Sequence, residues 1–244
     1  MSEYKSSSQL NNYTFENFIT GPENITAFTT AKIFSDTSVI INPLLVIYGL
    51  PGIGKTYLVN SILNQMILNH KKLNYIHVSG DGFFDEFITF LGEGKLDKFK
   101  KRYLKADLLI IEGMEFFQNK EETPYVLLHI ISHLIENGKK VVLTSGQSPF
   151  TLNLNSGFIR LFKLAQIVKI IRPGVDERKA FIKRQCVLNQ IELNDEIMDY
   201  IAKSIKSSFR AIDNYLAILF YLQDVIDEPL TLKHIKKEIR PYRG

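Results

Sequence analysis

Tryptophan is absent from this chain of 244 residues, cysteine occurs once and histidine five times. A single thiol, Cys186, excludes an intramolecular disulfide framework and is what a reducing compartment permits. With no His or carboxylate pattern around it, Cys186 reads as a small apolar residue in a helix, not as a reactive thiol. No Cys/His metal spacing, Ser–His–carboxylate arrangement or paired-carboxylate motif stands out. Long apolar runs are missing too: the most apolar helical stretch, Tyr215 to Leu222, is far too short to cross a bilayer. Residues 1–12 are polar, rich in Ser and Asn, and lack the apolar core of a signal peptide. Nor does charge of one sign dominate, because 30 basic and 26 acidic residues give +4, which neither demands nor excludes nucleic acid. What remains is a soluble, intracellular protein whose 45% hydrophobic residues suffice for one large domain, or a core with a small satellite.

The strongest positive signal is Gly49-Leu50-Pro51-Gly52-Ile53-Gly54-Lys55-Thr56, a match to G-x-x-x-x-G-K-[ST]. The apolar run Leu44 to Tyr48 precedes it and a helical pattern from Lys55 to Asn69 follows, which is the strand–loop–helix setting a phosphate-binding loop needs. Three glycines let successive N–H groups turn inward, and the following helix adds the positive end of its dipole. Lys55 is placed to reach the β- and γ-phosphates, and Thr56 to put its hydroxyl on Mg²⁺. The expected ligand is ATP or ADP with Mg²⁺, held by residues 49–56 and the adjoining Tyr57.

Strand-like runs recur beyond the loop at Tyr75–Val78, Leu108–Ile111, Val141–Thr144 and Ile167–Ile171. Helical candidates lie between them at Phe83–Leu91, Asp97–Leu104 and Tyr125–Glu136, the last closed by Asn137-Gly138. Strands alternating with helices predict a parallel five-stranded sheet covered on both faces. Before the loop, aromatic residues from Tyr13 lead into a turn at Gly21-Pro22 and a helix over Ile25–Phe34. After Arg172-Pro173-Gly174 only helical patterns follow, at Asp176–Asn189, Asp195–Ser204, Phe209–Asp224 and Leu232–Ile239. The predicted organisation is a flexible tail (1–12), an α/β nucleotide-binding domain (13–172) and an all-helical lid (173–244), the layout of AAA+ proteins.

From Tyr13 to about Leu219 the chain resembles the nucleotide-binding domain of the bacterial replication initiator DnaA. The stretches that carry the resemblance are Tyr13-Thr14-Phe15-Glu16-Asn17-Phe18 with Gly21-Pro22 and Asn24, Asn42-Pro43-Leu44, the phosphate loop, Glu86-Phe87-Ile88, Phe99-Lys100-Lys101-Arg102-Tyr103, Asn137-Gly138-Lys139, Val142-Leu143-Thr144-Ser145 and Arg210. By resemblance, Ile19, Gly21 and Asn24 line an adenine pocket, and Arg210 senses phosphate from the lid. The basic run Lys98, Lys100, Lys101, Arg102 and Lys105 falls where DnaA-type proteins touch single-stranded DNA. The chain ends at Arg240-Pro241-Tyr242-Arg243-Gly244 without the family's module for duplex DNA, which suggests a short form similar to the regulator Hda. Such proteins also hold the sliding clamp through an N-terminal segment, of which Gln9-Leu10 is a faint trace.

Several positions depart from the family. Its two aspartates after the third core strand are replaced by Glu112 and Gly113. Glu112 can still serve the metal, whereas Gly113 cannot polarise water, and Glu115 lies too far along the loop to be assumed a substitute. Its polar sensor after Leu-Thr-Ser is Gly146, and its arginine finger aligns with Leu161, one residue after Arg160. A step of one residue turns a helical side chain by about 100°. The resemblance therefore implies a cytoplasmic, nucleoid-associated AAA+ regulator of replication initiation with weak or absent ATP hydrolysis. It would act through nucleotide-dependent contact with an initiator or its own copies. An ATPase that loads a replicative helicase and a non-hydrolysing interaction scaffold are the alternatives.

Overall fold

The computed structural model describes residues 13–36, 42–226 and 230–239. The N-terminal tail with Gln9-Leu10 and the stretch Arg240 to Gly244 lie outside the described residues. Strands form at β1 (Leu44–Tyr48), β2 (Tyr75–Ser79), β3 (Leu108–Glu112), β4 (Lys140–Ser145) and β5 (Gln166–Lys169). They make one sheet in the order β2-β3-β4-β1-β5 with every neighbouring pair parallel. The fold is thus α/β with a parallel five-stranded sheet between helices. Central strands β1, β3 and β4 are buried along nearly all their length, as their apolar runs 44–47, 108–111 and 141–143 allow. Edge strands β2 and β5 tolerate His77, Ser79, Gln166 and Lys169, being only half-covered.

The helices are α1 (Ile25–Ser35), α2 (Lys55–Asn69), α3 (Gly80–Gly92), α4 (Leu96–Leu104), α5 (Thr123–Glu136), α6 (Ser156–Leu164), α7 (Val175–Leu188), α8 (Asp195–Ser204), α9 (Phe209–Ile226) and α10 (Leu232–Glu238). Two differences from the sequence reading have physical causes. Helix α3 starts three residues before Phe83, because the Ser79 hydroxyl caps it by accepting from the Gly82 N–H at 3.3 Å. Strand β5 stops at Lys169 instead of Ile171, since its partner β1 ends opposite it at Tyr48 and nothing remains to pair with.

The described residues form two compact units. The first contains residues 13–18, 27–36, 42–49 and 55–169. Its alternating strand positions Leu44, Val46, Leu109, Ile111, Val141 and Leu143 share one core with Phe83, Phe99, Tyr103, Phe117, Leu127 and Phe158. The second contains residues 19–26, 50–54, 170–226 and 230–239. Helices α7 to α10 close around Ile182, Ile197, Ile201, Ile212, Tyr215 and Ile235, and the Tyr215 hydroxyl donates to the Ile235 carbonyl at 3.0 Å. Cys186 is buried in this core, and burial pushes its thiol pKa up, away from the reactive thiolate. Among the described residues no helix is long and apolar enough to cross a membrane.

Candidate functional site

Adjacent strands β4 and β1 send the chain in opposite directions across the sheet, β1 toward β2 and β4 toward β5. Ligands of open parallel sheets bind outside the carboxyl ends of the strands at such a reversal. Residues 49–56 leave β1 there. Gly52 and Gly54 have φ of +76° and +108°, values that L side chains rarely adopt, so glycine is a backbone requirement in this loop. The Gly49 N–H is fixed by the Ser145 carbonyl at the end of β4 (3.1 Å), and Lys55 Nζ donates back to the Gly49 carbonyl (2.6 Å). The lysine is thereby folded back on Gly49 from the first turn of α2, a position where backbone N–H groups lack intrahelical acceptors and the helix dipole favours an anion.

Thr56 and Glu112 come together from opposite sides of β4. The Thr56 hydroxyl donates to Glu112 Oε2 at 2.6 Å, although the two residues are 56 apart in sequence. His77 on β2 donates from Nε2 to Glu112 Oε1 at 2.7 Å, fixing the other carboxylate oxygen. No group of three or more His, Cys, Asp or Glu able to hold a metal occurs among the described residues. One hydroxyl and one carboxylate are the donor set of Mg²⁺, which completes its shell with phosphate oxygens and water. The residues present therefore fit a nucleotide with its magnesium ion.

The remaining candidates are placed as follows. Tyr57 on α2 meets Tyr13 and Phe18 edge-on, at ring distances of 5.0 and 5.5 Å, and Asn64 ties down the Tyr13 carbonyl at 2.7 Å. The buried Asn24 shapes its own turn: its amide donates to the Ile19 carbonyl (2.9 Å) and its oxygen accepts from the Gly21 N–H (3.0 Å). In the second unit, the Arg210 N–H donates to the Gly52 carbonyl at 3.4 Å, so this exposed arginine leaves the backbone beside the phosphate loop. A Cβ on Gly52 would stand 2.8 Å from Arg210 Cβ and 3.0 Å from Ser208 Oγ. On α6, Phe158, Leu161 and Phe162 turn inward and Arg160 is exposed. Lys101 and Arg102 are exposed on α4 and Lys100 is half-buried. Arg102 is engaged with Glu86 of α3 at 2.9 Å.

Three juxtapositions escaped the sequence reading: His77 with Glu112, Ser208 beside the space a Cβ on Gly52 would fill, and Glu115, whose Oε2 accepts from the Gly146 N–H at 3.0 Å. A lone histidine inside the apolar run of β2 was the only available signal for the first. The last arises because the chain turns at Gly113 (φ +81°) into the 3₁₀ turn Met114–Phe117, which brings the Glu115 carboxylate to the Gly146 N–H at the end of β4.

Residues 10–168 match the family model described as the bacterial DnaA ATPase domain. The chromosomal replication initiator protein DnaA of Helicobacter hepaticus is 32% identical over 95% of this chain and 50% of its own length. The chain spans about half the length of the curated relatives it matches. Among solved structures, domain III of the Thermotoga maritima replication initiation protein DnaA superposes with a TM-score of 0.89 at 26% identity, covering 96% of this chain and 98% of that one. A replication initiator DnaA bound to AMPPCP and single-stranded DNA gives 0.79 at 26% identity, with 95% and 68% covered.

Proposed function

This chain belongs to the bacterial DnaA ATPase-domain family, and from that premise we propose that it is an AAA+ adenine-nucleotide switch in chromosomal replication initiation. In this reading it signals the bound nucleotide to an initiator or to further copies of itself, as Hda-like regulators do, and hydrolyses ATP slowly. It works in the cytoplasm, at the nucleoid.

The observation that carries the reading is the contrast between two sets of residues at one sheet edge. Lys55, Thr56 and Glu112 are drawn together by hydrogen bonds of 2.6 Å each, to Gly49 and between Thr56 and Glu112. Beside them, Gly113 and Gly146 offer no side chain to orient water or sense a γ-phosphate. Losing charge stabilisation of that kind costs catalysis orders of magnitude without a matching loss of affinity.

Each binding residue has a defined part. Lys55 releases the Gly49 carbonyl and neutralises phosphate charge. Thr56 would offer its hydroxyl lone pairs to the cation and Glu112 would hold it or its waters, while His77 keeps Glu112 in place. Mg²⁺, when bound, would supply neutralisation of phosphate charge. Arg210, rooted beside Gly52, ties the lid helix α9 to the state of the phosphates. Lys100 and Lys101, with Arg102 partly held by Glu86, offer a cationic face for single-stranded DNA. Sliding-clamp contact is an additional partner in this reading.

Purified protein should bind ADP and ATP with Mg²⁺ and turn ATP over slowly. Lys55→Ala should weaken nucleotide binding at least tenfold in calorimetry. Brisk Mg²⁺-dependent ATPase by the protein alone would overturn the switch reading. A pull-down run with each nucleotide and probed for initiator, clamp and helicase identifies the partner; capture independent of nucleotide would count against signalling.

A further inference from the structure

Gly113 and Gly146 stand at the carboxyl ends of β3 and β4, yet the space beyond them is not equally open. A Cβ on Gly113 would meet nothing within 4 Å, so the glycine there answers to its φ of +81°. At Gly146 a Cβ would lie 3.1 Å from Glu115 Oε1, while Glu115 Oε2 accepts from the Gly146 N–H at 3.0 Å. The Glu115 carboxylate thus packs against the place where a side chain at position 146 would begin, so that a methyl there would press on it.

The position lies next to the residue on which the phosphate loop begins. Strand β4 lies between β3 and β1, and Gly146 follows Ser145, whose carbonyl accepts from the Gly49 N–H at 3.1 Å. Glu112 from β3 and Thr56 from beyond β1 meet at 2.6 Å across the end of that same middle strand. With strands spaced about 4.8 Å apart, Glu115, Glu112 and the start of the loop gather within about two strand spacings. Glu115 is exposed, and its Oε1 takes no hydrogen bond among the described residues. A carboxylate anchored through one oxygen to a backbone amide and open at the other has the form of a water-orienting base.

We propose that Glu115 is the carboxylate through which this protein's slow ATP hydrolysis runs, taking the part that Gly113 cannot play. The inference rests on reading residues 49–56 as an ATP site. A water held by Glu115 Oε1 attacks the γ-phosphorus through its oxygen. The bond from that phosphorus to the β–γ bridging oxygen breaks, with its electron pair leaving on ADP. The water's proton passes to Oε1 and then to solvent, leaving inorganic phosphate.

The test uses the full chain and two variants with two readouts. Glu115→Gln keeps an acceptor for the Gly146 N–H but removes the charge and the base. It should lower single-turnover hydrolysis at least tenfold. In calorimetry it should bind the non-hydrolysable analogue AMPPCP about three- to tenfold more tightly, because a carboxylate no longer faces the γ-phosphate, and leave ADP affinity unchanged. Gly146→Ala, whose methyl crowds Oε1 at 3.1 Å without removing it, should also slow turnover, by less. Unchanged turnover in Glu115→Gln, or equal weakening of AMPPCP and ADP, would overturn the proposal while the ATP-site reading stands. If the unaltered protein bound neither nucleotide, that reading would fail first and the proposal with it.

Discussion

Glu177 is a buried carboxylate on α7 with a second carboxylate, Glu23, as its neighbour. Its Oε2 accepts from the Gly174 N–H at 2.6 Å, the reach-back contact of a helix start, while Oε1 is buried without a partner unless a proton is shared with Glu23. Burial pushes the Glu177 pKa up, with Glu23 adding to the shift against the lowering effect of the Gly174 bond. An acid whose folded pKa is raised stabilises the fold fully at pH below its unfolded value and loses that contribution as pH rises through the folded one. Glu177→Gln, neutral at every pH and still able to accept from Gly174, should therefore match the parent's melting temperature near pH 4 and exceed it at pH 8. Parallel pH series by calorimetry would check this, and a constant offset at all pH values would contradict it. Gly21 belongs to the same cluster: a Cβ there would lie 2.3 Å from Glu177 Oε1. The Gly21-Pro22 turn was plain in the sequence. Its glycine was tied to an adenine pocket by resemblance, and the carboxylate of a residue 156 positions later was invisible.

Helices α3 and α4 are held together by aromatic rings. Phe99 meets Phe83 at 5.2 Å and Tyr103 at 4.7 Å, and the Tyr103 hydroxyl donates to Glu86 Oε2 at 3.0 Å. Burial, with Glu86 beside it, pushes the Tyr103 pKa up, so this hydroxyl remains a donor. Phe99→Ala should destabilise the protein by about 3–5 kcal/mol, read from urea denaturation, because it opens a cavity among large side chains. The i, i+4 spacing of Phe99 and Tyr103 made α4 legible from sequence, and the lysines between them define its outer face. That Arg102 is engaged by Glu86 was not legible, since nothing local places α3 against α4. The edge strand β5 was overextended for a related reason: Ile170 and Ile171 are good strand residues, but pairing ends with the partner strand, not with propensity.

For the whole molecule, the proposed nucleotide binding would be linked to folding. Ligand at one hundred times its Kd adds about 2.7 kcal/mol to the stability of the form that binds it. In a chain of this length that is a rise in melting temperature of about 5–10 °C. AMPPCP with Mg²⁺ should produce such a shift in thermal denaturation, and Lys55→Ala should remove most of it. Local chemistry alone specified the phosphate loop, because its glycines, lysine and threonine are consecutive and flanked by a strand and a helix. Hydrophobic periodicity likewise sufficed for the parallel sheet and the later run of helices, since the pattern of burial is written residue by residue. Only tertiary structure decided which distant groups meet at the strand ends. The order β2-β3-β4-β1-β5 sets Glu112 against Thr56 and His77, and Glu115 against Gly146, across separations of 31 to 56 residues. Strand order follows from how the whole core packs, so no single stretch of sequence contains it.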